Sequence, residues 1–190
     1  MSPTTQAPTQ SEALITAEQF LAMPDDGRRT ELVRGRIVDV PPTFFRHGYI
    51  CSNIVAVLKD FVRRYQLGWV IGNDAGVIIE RNPDTVRGPD VAYFSYGRLP
   101  KDQMPEGYPP VSPELVVEVL SPSDRKSAMT AKVGEYHLAG VLVVCVLDPD
   151  AGILVVYPSE ELPRRYTADE ELTLPEVFPD FRVRVRQFLE

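Results

Sequence analysis

The chain has 190 residues, of which 44% are hydrophobic and 25% charged, with a net charge of -7 and a pI near 5.0. That length suits one ordinary domain able to bury roughly two-thirds or more of the surface its unfolded form exposes, and the composition lies far from the low-hydrophobicity signature of disorder. The acidic balance excludes attachment to nucleic acid through a broad basic surface, because phosphate contacts need Lys and Arg, so any such contact has to be a local patch.

Residues 1 to 13 offer little to bury against the entropy of ordering and are expected to form a disordered arm, with one domain over residues 14–190. Met1 to Gln10 has neither a positive flank nor an apolar stretch, so no signal peptide is expected and the cytoplasm is the expected location. Cys51 and Cys145 are far apart in sequence, and both are expected to pack as small apolar residues. The apolar run Leu138 to Leu147 is about half of the roughly 20 residues a membrane-spanning helix requires and is expected in the core.

Thr16 followed by Gln19 has the spacing of a capping box, with Ile15 and Phe20 at the staple positions, which predicts a short helix from Ala17 to Met23. Thr30 to Val33 and Arg36 to Val40, around Arg34-Gly35, predict a hairpin. From His47, the residues Ile50, Ile54, Val57, Leu58, Phe61, Val62 and Tyr65 form one stripe of an amphipathic helix. Strands are expected at 69–71, 76–80 and 90–94, and then at Glu114 to Leu120, a β-branched run suited to a strand covered on both faces. A helix from Ser127 to Ala139, closed by Gly140, leads to strands at 141–147 and 153–157.

The pleat puts Glu118 on one face with Val116 and Leu120, where an unpaired carboxylate is costly and a metal ion or an arginine would compensate it. Asp90 opens a strand able to lie beside that of Glu118, and two carboxylates on neighbouring strands suit Mg²⁺ or Mn²⁺, although Pro-Asp is also an ordinary strand-entry signal. Lys132 interrupts the helical stripe Met129, Val133, Tyr136, Ala139, so it either faces the sheet or lies along it and pairs with Glu135. Glu31 is either a third carboxylate or an exposed strand residue, and His47 either contacts phosphate or makes a structural hydrogen bond. Arg87, Arg125 and Lys126 flank Asp90 and Glu118 and could form the local positive patch.

Taken together, TELVRGRIV, FRHGYICSNIVAVL, RGPDVAYF, PELVVEVLSPSDR and the spaced Lys132, Tyr136, Gly140 and Val141 resemble the Uma-two-type restriction endonuclease family, from Thr16 to Phe188. That family falls in the PD-(D/E)XK nuclease superfamily. The resemblance implies a mixed α/β fold with a central sheet flanked by helices, preceded here by an N-terminal helix and hairpin. It also implies Mg²⁺-dependent hydrolysis of DNA phosphodiesters, with Mn²⁺ able to substitute, and allows a homodimer. By the same resemblance Asp90 and Glu118 are metal ligands, Glu31 matches an early glutamate, and Lys132 matches a lysine carried on the following helix. The position two after Glu118, where the superfamily's lysine usually stands, is Leu120. A second departure is GVLVVCVLDP, residues 140–149, which lacks the family's Glu-Tyr-Trp element. The alternative is a non-catalytic module of nuclease fold that binds nucleic acid or a protein partner.

Overall fold

The computed structural model describes residues 13–121 and 126–190, so the arm expected over 1–13 lies outside the described residues except for Ala13. The elements are α1 (Ala17–Leu21), β1 (Thr30–Val33), β2 (Arg36–Asp39), α2 (Phe45–Arg64), β3 (Gly68–Gly72), β4 (Val77–Glu80), β5 (Thr85–Arg87) and β6 (Val91–Ser95). There follow β7 (Leu115–Val119), α3 (Lys126–Leu138), β8 (Val143–Asp148), β9 (Ile153–Pro158), β10 (Arg164–Thr167), β11 (Glu171–Leu174), β12 (Phe178–Arg184) and α4 (Arg186–Leu189).

The Thr16 hydroxyl accepts the Gln19 N–H while the Gln19 side chain accepts the Thr16 N–H, so the reciprocal cap forms as the spacing predicts. The helix stops at Leu21 rather than Met23, because Pro24 disfavours helical geometry in the residue before it. In the β1–β2 hairpin Arg34 and Gly35 both take positive φ, 50° and 75°, the twist that a two-residue hairpin turn requires. β5 was not expected, since three residues are too few to show alternation, yet it joins β1 to β4 in an antiparallel sheet ordered β2-β1-β5-β4.

The central sheet has the order β10-β9-β8-β7-β6-β3. β7 and β8 run parallel, joined by α3 as the crossover, and the other pairs are antiparallel. Alternation along β7 assigns its two faces as the pleat predicts. Leu115, Val117 and Val119 pack with α2 residues Ile50, Ile54 and Leu58, while Val116 packs on the opposite side with Val133 and Tyr136 of α3. Glu118 therefore faces α3. The segment without the family's aromatic element forms β8, whose Val143 to Leu147 are all buried at the sheet centre.

No element is expected from the sequence beyond the strand at 153–157, and the structure places there β10, the β11–β12 hairpin and α4. Leu172, Leu174, Phe178, Phe181, Val183 and Phe188 complete the α2 side of the core. Alternation at Leu172 and Leu174 of β11 and at Phe181 and Val183 of β12 is the sequence signal for this hairpin. Among the described residues, no helix is long and apolar enough to cross a membrane.

Candidate active site

The site forms at the end of the central sheet where β6 begins and β7 finishes. Val91 pairs with Val117 in antiparallel register, so the next step outward sets Asp90 opposite Glu118. Asp90 Oδ2 accepts the Val119 N–H at 2.7 Å, which fixes one carboxylate against the strand carrying the other. The four-stranded sheet contributes Glu31 from β1 and Arg87 from β5, and α3 contributes Lys132 and Tyr136.

Glu118 is 4% exposed, and two donors address its Oε1: the Tyr136 hydroxyl at 2.7 Å and Lys132 Nζ at 2.9 Å. Burial pushes its pKa up to about 7. Lys132 pulls against that shift, the Asp90 charge adds to it, and the Tyr136 and Lys132 hydrogen bonds oppose it. Burial works against the charge on Lys132 as well, yet the Glu118 and Glu31 carboxylates outweigh it and hold the amine cationic, with its pKa raised. Tyr136 is fully buried beside a carboxylate, and burial followed by the Glu118 charge raises its phenol well above the ordinary range.

Glu31 is closed in by cations. Its Oε2 accepts Arg87 at 2.7 Å, its Oε1 accepts the Gly88 N–H at 3.0 Å, and Lys132 Nζ stands 3.6 Å away. Burial opposes its charge, but Lys132 and Arg87 prevail and hold the carboxyl below its usual range. Arg87 bridges to Glu135 of α3 at 2.6 Å, so its guanidinium is engaged by two carboxylates. Glu135, weighed from the sequence as a partner for Lys132, thus pairs with Arg87, and Lys132 turns to the sheet.

His47, on the first turns of α2, reaches the same end of the sheet from the opposite face. Its Nε2 lies 3.0 Å from the Val119 carbonyl and 3.3 Å from Asp90 Oδ2, and its Nδ1 lies 3.5 Å from Cys51 Sγ. The bond to Asp90, then the contact with Cys51, raise the His47 pKa to about 10 against the effect of burial. Cys51 is half-buried and packs against the core as expected, and its thiol also lies against His47; burial raises its pKa. Cys145 is buried in the core as expected. A cavity of about 830 Å³ connects these groups, lined among others by Glu31, His47, Arg87, Asp90, Glu118 and Lys132.

A family model described as "Putative restriction endonuclease", Uma2, matches residues 17–186. The chain belongs to the Uma2 family. Among solved structures, a protein from Anabaena variabilis ATCC 29413 described as "a putative nuclease belonging to DUF820" is similar with a TM-score of 0.79 and 20% sequence identity. The likeness covers 92% of this chain and 97% of that one, and at this identity it is a likeness of fold. Among curated proteins nothing matches.

The Uma2 fold brings Glu31, Asp90, Glu118, Lys132, His47 and Arg87 to one cavity, whereas Arg125 lies outside the described residues. The donor chemistry at Asp90 and Glu118 fits a hard divalent cation. Burial first, and then the nearby Asp90 charge, raise the Glu118 pKa even with Lys132 at 2.9 Å, the environment in which a bound cation would offset the buried charge. From the sequence, Tyr136 and Cys51 have only packing roles and no place in the site. Their signals were helical spacings: Tyr136 is one turn from Lys132, and Cys51 is one turn from His47.

Proposed function

We propose that this Uma2 protein is a divalent-metal-dependent endonuclease that hydrolyses DNA phosphodiester bonds in the cytoplasm. The observation that carries the reading is the meeting of Asp90, Glu118, Glu31 and Lys132, from separate elements, around one cavity. Asp90 and Glu118 would hold Mg²⁺, or Mn²⁺ in its place, with Glu31 assisting. The bound cation would polarise the scissile phosphate and stabilise the leaving oxygen. Lys132, kept cationic by Glu118 and Glu31, orients the water that attacks phosphorus and offsets charge developing on the phosphate oxygens. In this reaction the water O–P bond forms, the bridging P–O bond breaks and a proton passes to the leaving oxygen. His47, Arg87 and Arg125 are proposed contacts for the DNA; Arg28 and Arg29 stand on the same cavity wall, paired with Asp26 and Asp39 and with Asp74, and phosphate would have to compete with those carboxylates. Cutting of both strands would be served by a homodimer.

A second reading is a non-catalytic module that binds nucleic acid or a protein partner. It draws on the net charge of -7 and on the pairing of Glu31 with Arg87 and Lys132, which already neutralises one of the carboxylates. The deciding experiment is cleavage of supercoiled and single-stranded DNA with Mg²⁺, Mn²⁺ or EDTA by the protein and by its Asp90→Ala and Lys132→Ala variants. Divalent-dependent cutting that both substitutions abolish supports the nuclease. DNA binding without cutting by the unaltered protein supports the module.

A further inference from the structure

His47 and Cys51 are four residues apart on α2, so their side chains share one face of the helix, and that face meets Asp90. The donor atoms of His47, Cys51 and Asp90 all lie within 4.8 Å of one another. Bonds of about 2.3 Å to a thiolate and about 2.0 Å to an imidazole nitrogen, at a tetrahedral angle, set those two donors roughly 3.5 Å apart. The His47 Nδ1 to Cys51 Sγ distance is 3.5 Å. The other ring nitrogen, Nε2, lies 3.0 Å from the Val119 carbonyl, the kind of outer partner that fixes the tautomer and ring orientation of a ligating histidine, and 3.3 Å from Asp90 Oδ2, so a cation held between Nδ1 and Sγ has to draw Asp90 over from the Nε2 edge of the ring.

The geometry points to a second metal site, His47–Cys51–Asp90, for a borderline-soft divalent cation of the Zn²⁺ class. Sulfur and imidazole donors favour Zn²⁺ over Mg²⁺, whose preference is for oxygen. Three protein ligands leave a fourth position for water or a phosphate oxygen, on the side of the cavity that His47 and Asp90 line. Asp90 is common to this site and to the carboxylate pair with Glu118, so a Zn²⁺-class ion on His47 and Cys51 competes with a hard cation for that carboxylate. The thiol-containing site stands without the nuclease reading, and only the competition rests on it.

Co²⁺ serves as the spectroscopic probe on the full chain. The expected result is a near-ultraviolet sulfur-to-cobalt charge-transfer band that saturates at one equivalent and is displaced by Zn²⁺. It should be lost in Cys51→Ser and in His47→Gln and retained in Glu118→Gln. A second measurement needs no variant: Zn²⁺ should slow alkylation of Cys51, followed by mass spectrometry of the unaltered protein. Absence of the band, its persistence in Cys51→Ser, or unchanged alkylation of Cys51 with Zn²⁺ overturns the site. A cobalt–thiolate band in a protein that cuts no DNA leaves this site standing and removes the nuclease reading, whereas Mg²⁺-dependent cutting without the band does the reverse.

Discussion

Tyr136→Phe deletes one hydroxyl at the floor of the site and keeps the ring that packs, fully buried, against the α3 face of the sheet. What it removes is the O–H donated to Glu118 Oε1 at 2.7 Å. A hydrogen bond to a charged group contributes about 1.5–3 kcal/mol and one between neutral groups about 0.5–1.5 kcal/mol. The variant therefore loses about 1–1.5 kcal/mol more when Glu118 is ionised than when it is protonated, equivalent to a rise of roughly one unit in the Glu118 pKa. That rise starts from about 7. Thermal melts of the metal-free protein should show a Tm loss of roughly 3–12 °C at pH 9, taking 2–4 °C per kcal/mol for a chain of this size, and about half that or less at pH 5.5. Calorimetric titration with Mn²⁺ at pH 7 should show binding weakened roughly five-fold, because the metal has to displace a proton held more firmly. Its pH midpoint should move up by roughly one unit. An equal Tm loss at both pH values, with an unmoved midpoint for metal binding, would show that the hydroxyl merely packs and would refute the electrostatic account of Glu118.

The raised Glu118 pKa has a sign that can be checked in the metal-free protein. Its native value, about 7, exceeds the ordinary 4.5, so the native state binds the extra proton and loses stability as pH rises through that window, by about 3 kcal/mol; the difference between wild type and Glu118→Gln against pH isolates it. Lys132→Met removes the cation 2.9 Å from Glu118 and 3.6 Å from Glu31, and should destabilise the fold by about 3–5 kcal/mol at pH 8 in urea denaturation. That loss should shrink as Glu118 protonates, while cleavage is abolished. In wild type, Mn²⁺ at one hundred times its Kd should add about 2.7 kcal/mol of stability, seen as a Tm rise of roughly 5–10 °C, and Asp90→Asn should abolish the rise.

Legibility in the sequence followed length and periodicity. The long stripe of α2 and the β-branched run of β7 emerged at nearly their true bounds, because many residues repeat one period in each. The three-residue β5 carries no periodic signal, yet it delivers Arg87 to Glu31 through pairing with β1. The pleat of β7 groups Glu118 with Val116 and Leu120, and that face meets α3; the helical stripe leaves Lys132 open between the sheet and Glu135, and the structure turns it to the sheet. Partner choice was out of reach. That Glu135, a possible partner for Lys132, pairs with Arg87 instead, and that His47, open between phosphate and a structural hydrogen bond, meets Asp90 and the Val119 carbonyl, depends on how separate elements cross, which sequence spacing does not encode.

The position of the lysine changes what the site depends on. Two residues along the same strand from Glu118, where the superfamily's lysine usually stands, would be about 7 Å away on the same face, and Leu120 occupies that place. Lys132 instead brings its amine to 2.9 Å from Glu118 on α3, and Tyr136, one turn further along, reaches the same oxygen. The geometry around Glu118 is thus set by how α3 docks through Val133 and Tyr136 rather than by the strand itself. A shift of α3 on the sheet moves both donors together, so packing changes at Val133, which is buried in one cluster with Tyr136, should alter metal binding and lysine placement at once. A lysine on the strand would be insulated from such changes by the sheet's hydrogen bonds.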